Sequence, residues 1–406
     1  MPKTRYGVSP WFSDFPRSRR PDFPRLRGDF TADVVIIGGG LTGCAAALAC
    51  ATAGLKPILV EQDRIGAGTT ARGAGMLLPD PVSSFKELTA ARGLRVSRRA
   101  FERWRAGARD AAALLRRLNI KCALEPLDLL IAAGRDDEKL LRREFDARTD
   151  AGLDLTWLTQ KQVKKQTNLD SSAGVRMRDA FSFDPYAASV GLATLAARRK
   201  ARLFERSVVK KVRAGRKDAE IVLDGGTIRA ATVVVATGSA TPLFAQLQRH
   251  FTRRESYLAL TQPLPATMRR QLPDPSLAIR DTRTPPRRFR WTPDDRLLLI
   301  GGDQDEQPVR TKAPVLVQRT GDLMYGLLTM YPVISGLQPA FGWDATYGET
   351  ADGMPYIGAH RNYPRHLFAL GATADSSTGS FVAARLLLRA IQGAAEKGDE
   401  VFGWTR

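Results

Sequence analysis

Four glycines, Gly38, Gly39, Gly40 and Gly43, follow directly on the apolar run Val34–Ile37, and an acid, Glu61, closes the next apolar run. Residues of these types at this spacing can hold a dinucleotide. Gly38 permits a tight turn, Gly40 lets backbone approach a pyrophosphate, and Gly43 lets a helix and a strand pack closely. Free N–H groups and the positive end of a helix dipole then attract the phosphates. A carboxylate at the distance of Glu61, with Gln62 beside it, accepts hydrogen bonds from ribose hydroxyls.

Such a site needs a strand, a helix and a second strand to position it. Val34–Ile37 is short, wholly apolar and β-branched, as in a parallel strand covered on both faces. Leu41–Ala53 is rich in Ala and Leu and reads as a helix, with Gly54 as the residue that ends it. Lys56–Glu61 is the next strand, completing a βαβ unit. Past Glu61, "DRIGAGTTARGAGML" (Asp63–Leu77) is a loop of small residues with two threonines, and no third strand of the nucleotide fold follows. A loop of this kind can wrap a cofactor longer than a nicotinamide dinucleotide, which points to FAD. Two later stretches agree. Ala231–Thr241 is an apolar strand ending in Thr237-Gly238. Thr350–Ile391 carries a turn, a strand Leu367–Leu370, a small-residue loop and a helix from about Phe381.

With these motifs the chain resembles the D-amino acid oxidase-like superfamily of FAD-dependent oxidoreductases, the group of glycine oxidase, sarcosine oxidase and γ-glutamylputrescine oxidase. "RPDFPRLRGDFTADVVIIGGGLTG" is similar to the lead-in of the γ-glutamylputrescine oxidase-like branch, "GAGTTARGAGML" to the flavin-contacting loop, and "ADGMPYIG" to a late signature of the superfamily. The resemblance covers almost the whole chain. It implies an α/β fold: a Rossmann-like FAD-binding domain and a second, α+β substrate domain on a mainly antiparallel sheet. It places Gly38, Gly40, Leu41, Thr42 and Gly43 around the pyrophosphate, and Glu61 and Gln62 at the adenosine ribose. Gly68, Thr69, Thr70, Arg72, Gly75 and Met76 would lie along the ribityl chain and isoalloxazine. Val209 would hold the adenine through its backbone, and Thr237 and Gly238 would close the ADP side. Gly371, Ser376, Ser377 and Thr378 would meet the pyrimidine end of the flavin.

Two stretches depart from the family. "GATADSSTGS" (Gly371–Ser380) stands where relatives carry a glycine-rich loop, with Ala374 and Ser376 in place of interior glycines. Either the added Cβ atoms weaken flavin contact, or the hydroxyls of Ser376, Ser377 and Thr378 replace amide donors. "DTRTPPRRFRWTPDDRLLLIGGDQDE" (Asp281–Glu306) has Pro286 and Arg288 at two aromatic positions, implying a more basic pocket. Arg290 keeps the family's arginine. It is read either as a structural partner of Asp303 or Asp305 or as the cation for a substrate carboxylate, with Trp343 and Tyr347 as pocket walls. With no Cys in the last third and no His in residues 66–77, the FAD is expected to be non-covalent.

The chain has 406 residues, room for two domains. The expected organisation is an extended N-terminal arm over 1–30, FAD-binding segments 31–118, 181–247 and 345–406, and substrate-domain segments 119–180 and 248–344. Ser83–Leu118 reads as one long basic helix, Leu127–Ala133 as a strand, Thr156–Thr167 as a helix with a Thr cap, and Asp184-Pro185 as the start of another helix. Cys44, Cys50 and Cys122 have no metal-ligand spacing and are read as reduced thiols. His250, His360 and His366 sit in polar, turn-like contexts. Neither metal nor a His-dependent triad is expected. No apolar run is long enough for a membrane span and no signal peptide is evident, so the expected location is cytoplasmic.

Lys and Arg outnumber Asp and Glu by 62 to 42, giving +20. The basic residues are spread along the chain, which favours solvated faces over a nucleic-acid surface. The expected partners are a small amine or amino acid and oxygen or another electron acceptor. The expected reaction is oxidation of a C–N bond to an imine by hydride transfer to flavin N5. The alternatives are a flavin domain acting on RNA-borne aminomethyl groups and a non-catalytic flavin-binding protein.

Overall fold

The computed structural model describes residues 3–81, 83–371, 373 and 376–406. Along the chain the strands are β1 (Arg5–Tyr6), β2 (Phe30–Ile37), β3 (Pro57–Val60), β4 (Met76–Leu77), β5 (Glu125–Ala133), β6 (Thr156–Thr159), β7 (Ala173–Ser182), β8 (Arg202–Phe204), β9 (Val209–Ala214), β10 (Ala219–Leu223), β11 (Gly226–Gly238), β12 (Thr252–Thr261), β13 (Leu277–Asp281), β14 (Arg288–Trp291), β15 (Leu297–Asp305), β16 (Pro339–Glu349), β17 (Tyr356–Ala359) and β18 (His366–Leu370). The helices used below are α1 (Pro10–Ser13), α2 (Leu41–Thr52), α3 (Thr69–Arg72), α4 (Phe85–Arg92), α5 (Leu94–Arg117), α6 (Gln160–Thr167), α7 (Pro185–Arg198), α8 (Val309–Met330) and α9 (Thr378–Ile391).

Among the described residues the strands form two sheets. In the smaller one, β18, β11, β2, β3 and β8 run parallel in that order, with β17 antiparallel at one edge and a β9–β10–β11 meander beside it. The all-apolar run of β2 follows from this position. Val34 and Ile36 face a core shared with α2, α7 and α9, while Val35 and Ile37 face the meander side with Ile221 and Val235. The larger sheet, ordered β1-β16-β12-β15-β14-β13-β5-β7-β4, is antiparallel except at β1–β16 and β13–β5. One face carries Leu129, Val175, Leu258, Leu298 and Trp343 and receives Ala74, Met76 and Leu78 from the loop after β3. The other is covered by Leu316, Leu323 and Leu327 of α8.

Several expectations shift. The basic stretch 83–118 is two helices, because Gly93 at φ +80° breaks α4 from α5. Thr156–Thr159 is strand rather than helix. α6 starts at Gln160, where Thr159 and Gln162 form a capping box. The N-terminal stretch is not a surface arm alone: β1 joins the large sheet, and Phe15 and Leu26 are buried. His366 is not in a turn. It lies buried in β18, its ring stacked on Phe368, while His250 and His360 pack edge-on against Trp404. The three thiols are buried and unbridged.

Candidate functional site

The turn between β2 and α2 is built on close approach. Gly38 has φ +108°, and a Cβ there would stand 2.5 Å from the carbonyl oxygen of Ala236. A Cβ on Gly43 would stand 1.9 Å from the carbonyl oxygen of Gly38, so only glycine lets α2 rest on the turn. No side chain caps α2, and its first turn holds no acid. The Leu41 N–H is taken by the Thr70 hydroxyl at 2.9 Å. The amides of Gly40, Thr42 and Gly43 have no protein acceptor among the described residues. Three N–H groups at the positive end of a twelve-residue helix form a cradle for an anion.

Glu61 follows β3 and reaches back to this turn. Its Oε2 accepts from Gly39 N–H at 2.7 Å and its Oε1 from Asp63 N–H at 2.9 Å. Each oxygen keeps a second lone pair for a hydroxyl. Burial pushes its carboxyl up, against the pull of those two amides. Gln62 adjoins it. Thr237 and Gly238 end β11, and the Gly371 N–H donates to Gly238 oxygen at 2.9 Å, tying the end of β18 to the same edge. Val209 is the half-buried first residue of β9.

The loop from Gly68 to Met76 passes between the two sheets. Thr69, Thr70 and Arg72 form α3, and Gly75 is left-handed at φ +63°. Ala74 and Gly75 are buried, yet their N–H groups have no protein acceptor among the described residues. A buried donor of this kind is costly unless something accepts from it. These donors and the α2 cradle suit a phosphate-linked heterocycle: the residues present fit FAD. Beyond Gly371, the Ser376 hydroxyl accepts from Leu78 N–H at 3.2 Å and the Thr378 hydroxyl donates to Leu78 oxygen at 2.9 Å. The Ser377 N–H donates to Met76 oxygen at 2.8 Å. These three residues therefore fasten the start of α9 to the flavin loop. Ala374 lies outside the described residues.

A cavity of about 770 Å³ opens beside Gly371, lined by Tyr347, Asp303, Arg254, Arg288, His250 and Ser83 among others. The Tyr347 hydroxyl donates to Asp303 Oδ1 at 2.8 Å, and the Ser256 hydroxyl donates to the same oxygen. Arg288 stands 3.9 Å from Asp303 Oδ2. Arg254 pairs with Asp305 at 2.6 Å and Glu349 at 3.4 Å. Burial, helped by Arg249, holds the His250 imidazole below its ordinary range. The wall carries both signs of charge: Arg249, Arg254 and Arg288 against Glu87, Asp303, Glu349 and Asp352.

Two expected substrate contacts fall elsewhere. Trp343 is wholly buried, its indole N–H on Arg72 oxygen at 3.0 Å, and it does not line the cavity. Arg290 is buried too and pairs with neither Asp303 nor Asp305. The register sets it opposite Leu298, five residues short of Asp303 on β15, and it is Arg288 that comes near that acid. The Arg290 guanidinium instead binds the carbonyl oxygens of Ala74, Gly75 and Trp291 at 2.9, 3.2 and 2.9 Å. Burial lowers it to about 10, with Asp184 opposing. Tyr347, expected as a pocket wall, does line the cavity. Arg254 and Ser256 went unrecognised in the sequence, although the acids of "GGDQDE" were the visible half of the signal.

Known proteins place this site in context. The profile of the FAD dependent oxidoreductase family (DAO) matches residues 33–390. The chain is 24% identical over 383 residues to the γ-glutamylputrescine oxidoreductase of Escherichia coli strain K12, covering 93% of this chain and 87% of that one. It is 26% identical over 364 residues to the glycine oxidase of Bacillus licheniformis, covering 84% and 87%. The glycine oxidase of Geobacillus kaustophilus superposes with a TM-score of 0.75 at 20% identity, over 93% of this chain and 99% of that one. With the family profile matching residues 33–390, most of the chain, this protein belongs to the DAO family of FAD-dependent oxidoreductases.

Proposed function

We propose that this protein oxidises the C–N bond of a small amine or amino acid to an imine, with oxygen or another acceptor restoring the cofactor. The observation that carries the reading is Gly371. Its N–H is fixed on the last residue of the nucleotide-side strand, and the residue itself forms part of the cavity wall. The relatives named for amine and amino-acid oxidation support the substrate class. FAD supplies a hydride acceptor at its ring when bound.

The chain's own residues bind and orient. The free amides of Gly40, Thr42 and Gly43 would hold the pyrophosphate, Glu61 and Gln62 the ribose, and Val209, Thr237 and Gly238 the adenine side. Gly68 to Met76 would line the ribityl chain and ring, with Gly371 and the Ser376–Thr378 segment at the pyrimidine end. In the cavity, Tyr347 would form part of the substrate wall, its hydroxyl held by Asp303. Arg254 and Arg288 take the carboxylate-binding role expected of Arg290, because they line the cavity. A neutral amine needs no strong protein base, which suits a wall whose His250 imidazole is a weakened base. The test is anaerobic mixing of the flavin-loaded protein with secondary amines and amino acids. Loss of the oxidised flavin absorption with a member of this panel is expected; no bleaching with any would overturn the reading.

A further inference from the structure

Four consecutive carbonyl oxygens in the flavin loop each accept a side-chain N–H. The Trp343 indole donates to Arg72 oxygen at 3.0 Å, and the Trp11 indole to Gly73 oxygen at 3.0 Å. Arg290 Nη2 donates to Ala74 oxygen at 2.9 Å and Gly75 oxygen at 3.2 Å. The donors come from three distant places: β16, α1 and β14. Trp343 and Arg290 project from the same face of the large sheet, Trp343 opposite Leu258 and Arg290 opposite Leu298. Trp11 arrives from outside on the N-terminal segment. That segment is itself fastened, by the pairing of β1 with β16 and by the Gly7 N–H on Gly342 oxygen at 2.9 Å. The Trp11 ring also stands 5.8 Å from the Arg290 guanidinium, within cation–π range.

In a trans peptide the N–H points away from its own C=O. Holding the oxygens of residues 73 and 74 on the protein side therefore turns the N–H groups of Ala74 and Gly75 the opposite way. Those are the two buried donors without a protein acceptor among the described residues. Arg290 adds a second feature: it is buried and has no carboxylate within 4 Å among the described residues. Asp184 acts on it only from a distance, so its charge is held beside the loop without an ion pair, favouring a ring that gains negative charge.

We propose that Trp11, Trp343 and Arg290 form a rack that fixes the peptide planes of residues 72–75, and that Trp11 is a positioning residue for the flavin. The proposal rests on FAD occupying this loop. It makes the N-terminal segment part of the cofactor site, a role that nothing in its Pro- and Arg-rich composition announces.

The test compares the wild-type protein with Trp11→Phe, which keeps an aromatic ring and loses the N–H. FAD is titrated into each apoprotein, and the flavin visible circular dichroism and midpoint potential are measured on each loaded form. A rise in the FAD dissociation constant of about three- to tenfold is expected, with changed flavin dichroism, a shifted potential and an unchanged melting temperature of the apoprotein. Equal affinity, dichroism and potential in the two proteins would overturn the rack. If wild-type apoprotein takes up no FAD, the cofactor assignment fails first and separably. Should Trp11→Phe not fold, benzothienylalanine at position 11 keeps the bicyclic shape with sulfur in place of the N–H, and the same comparison decides.

Discussion

The carbonyl oxygen of Gly38 lies 1.9 Å from where a Cβ on Gly43 would stand. Helix α2 therefore touches its own entry turn through backbone alone, and this contact aims the free amides at one point. Gly43→Ala must push α2 off the turn. We expect purified Gly43→Ala to hold a small fraction of the flavin of the wild type and to lose about 1–3 kcal/mol of stability, the ordinary cost of overpacking. Flavin absorbance per protein and a denaturant melt check this; full flavin content would contradict it.

Glu61 accepts two backbone N–H groups with two oxygens. Glu61→Gln presents one carbonyl oxygen and one NH₂, so one of the two amides loses its acceptor. The loss of a charged acceptor at a buried donor costs about 1–3 kcal/mol. FAD affinity of the apoprotein, read by flavin fluorescence quenching, should fall about tenfold or more.

Tyr347 and Ser256 both donate to Asp303 Oδ1 in the cavity wall, far in sequence from the nucleotide turn. Tyr347→Phe leaves that oxygen with the Ser256 donor. The anaerobic rate of flavin reduction by an active amine should drop several-fold while flavin content stays at the wild-type level. A variant that loses flavin and activity together would move Tyr347 from the substrate side to the cofactor side.

Asp184 caps α7, its carboxylate accepting from Ala187 N–H at 2.9 Å. Burial pushes its carboxyl up from 3.8 to about 6, against those backbone amides and Arg19 and Arg290. The folded pKa lies above the unfolded one, so between about pH 4 and 6 the folded state binds more protons and this group's contribution to stability falls as pH rises. Above that window the charge carries a fixed penalty of about 3 kcal/mol at most. Asp184→Asn keeps the cap and removes the charge. It should melt higher than the wild type at pH 8 and equally near pH 4; a lower melting temperature at pH 8 would contradict this.

What the sequence made legible is what short stretches decide. The βαβ unit, Glu61 and the glycine turn are local, and each residue type has one geometric reason. A Thr cap was expected at the start of a helix over Thr156–Thr167, but the cap stands at Thr159, because Thr156–Thr159 is strand β6, which exists only through its pairing with β7. Arg290 was read as the substrate cation because it keeps the family's arginine, or else as a partner of Asp303 or Asp305, and only the register with β15 shows that Arg288 is the residue near Asp303. The rack joins residues 11, 290 and 343 to residues 72–75, and no local pattern encodes such a meeting. α8 was missed despite its signal: Leu316, Thr320, Leu323 and Leu327 recur at helical spacing and are among its buried positions.

The central claim is that the amides of residues 40–43 and the carboxylate of Glu61 hold FAD. The most direct measurement is calorimetric titration of FAD into the apoprotein, beside the same titration into Gly43→Ala. The account predicts one site per chain with the visible flavin spectrum, and weak or absent binding in the variant. A wild-type apoprotein that takes up no flavin, or a variant that binds it equally well, would contradict the claim.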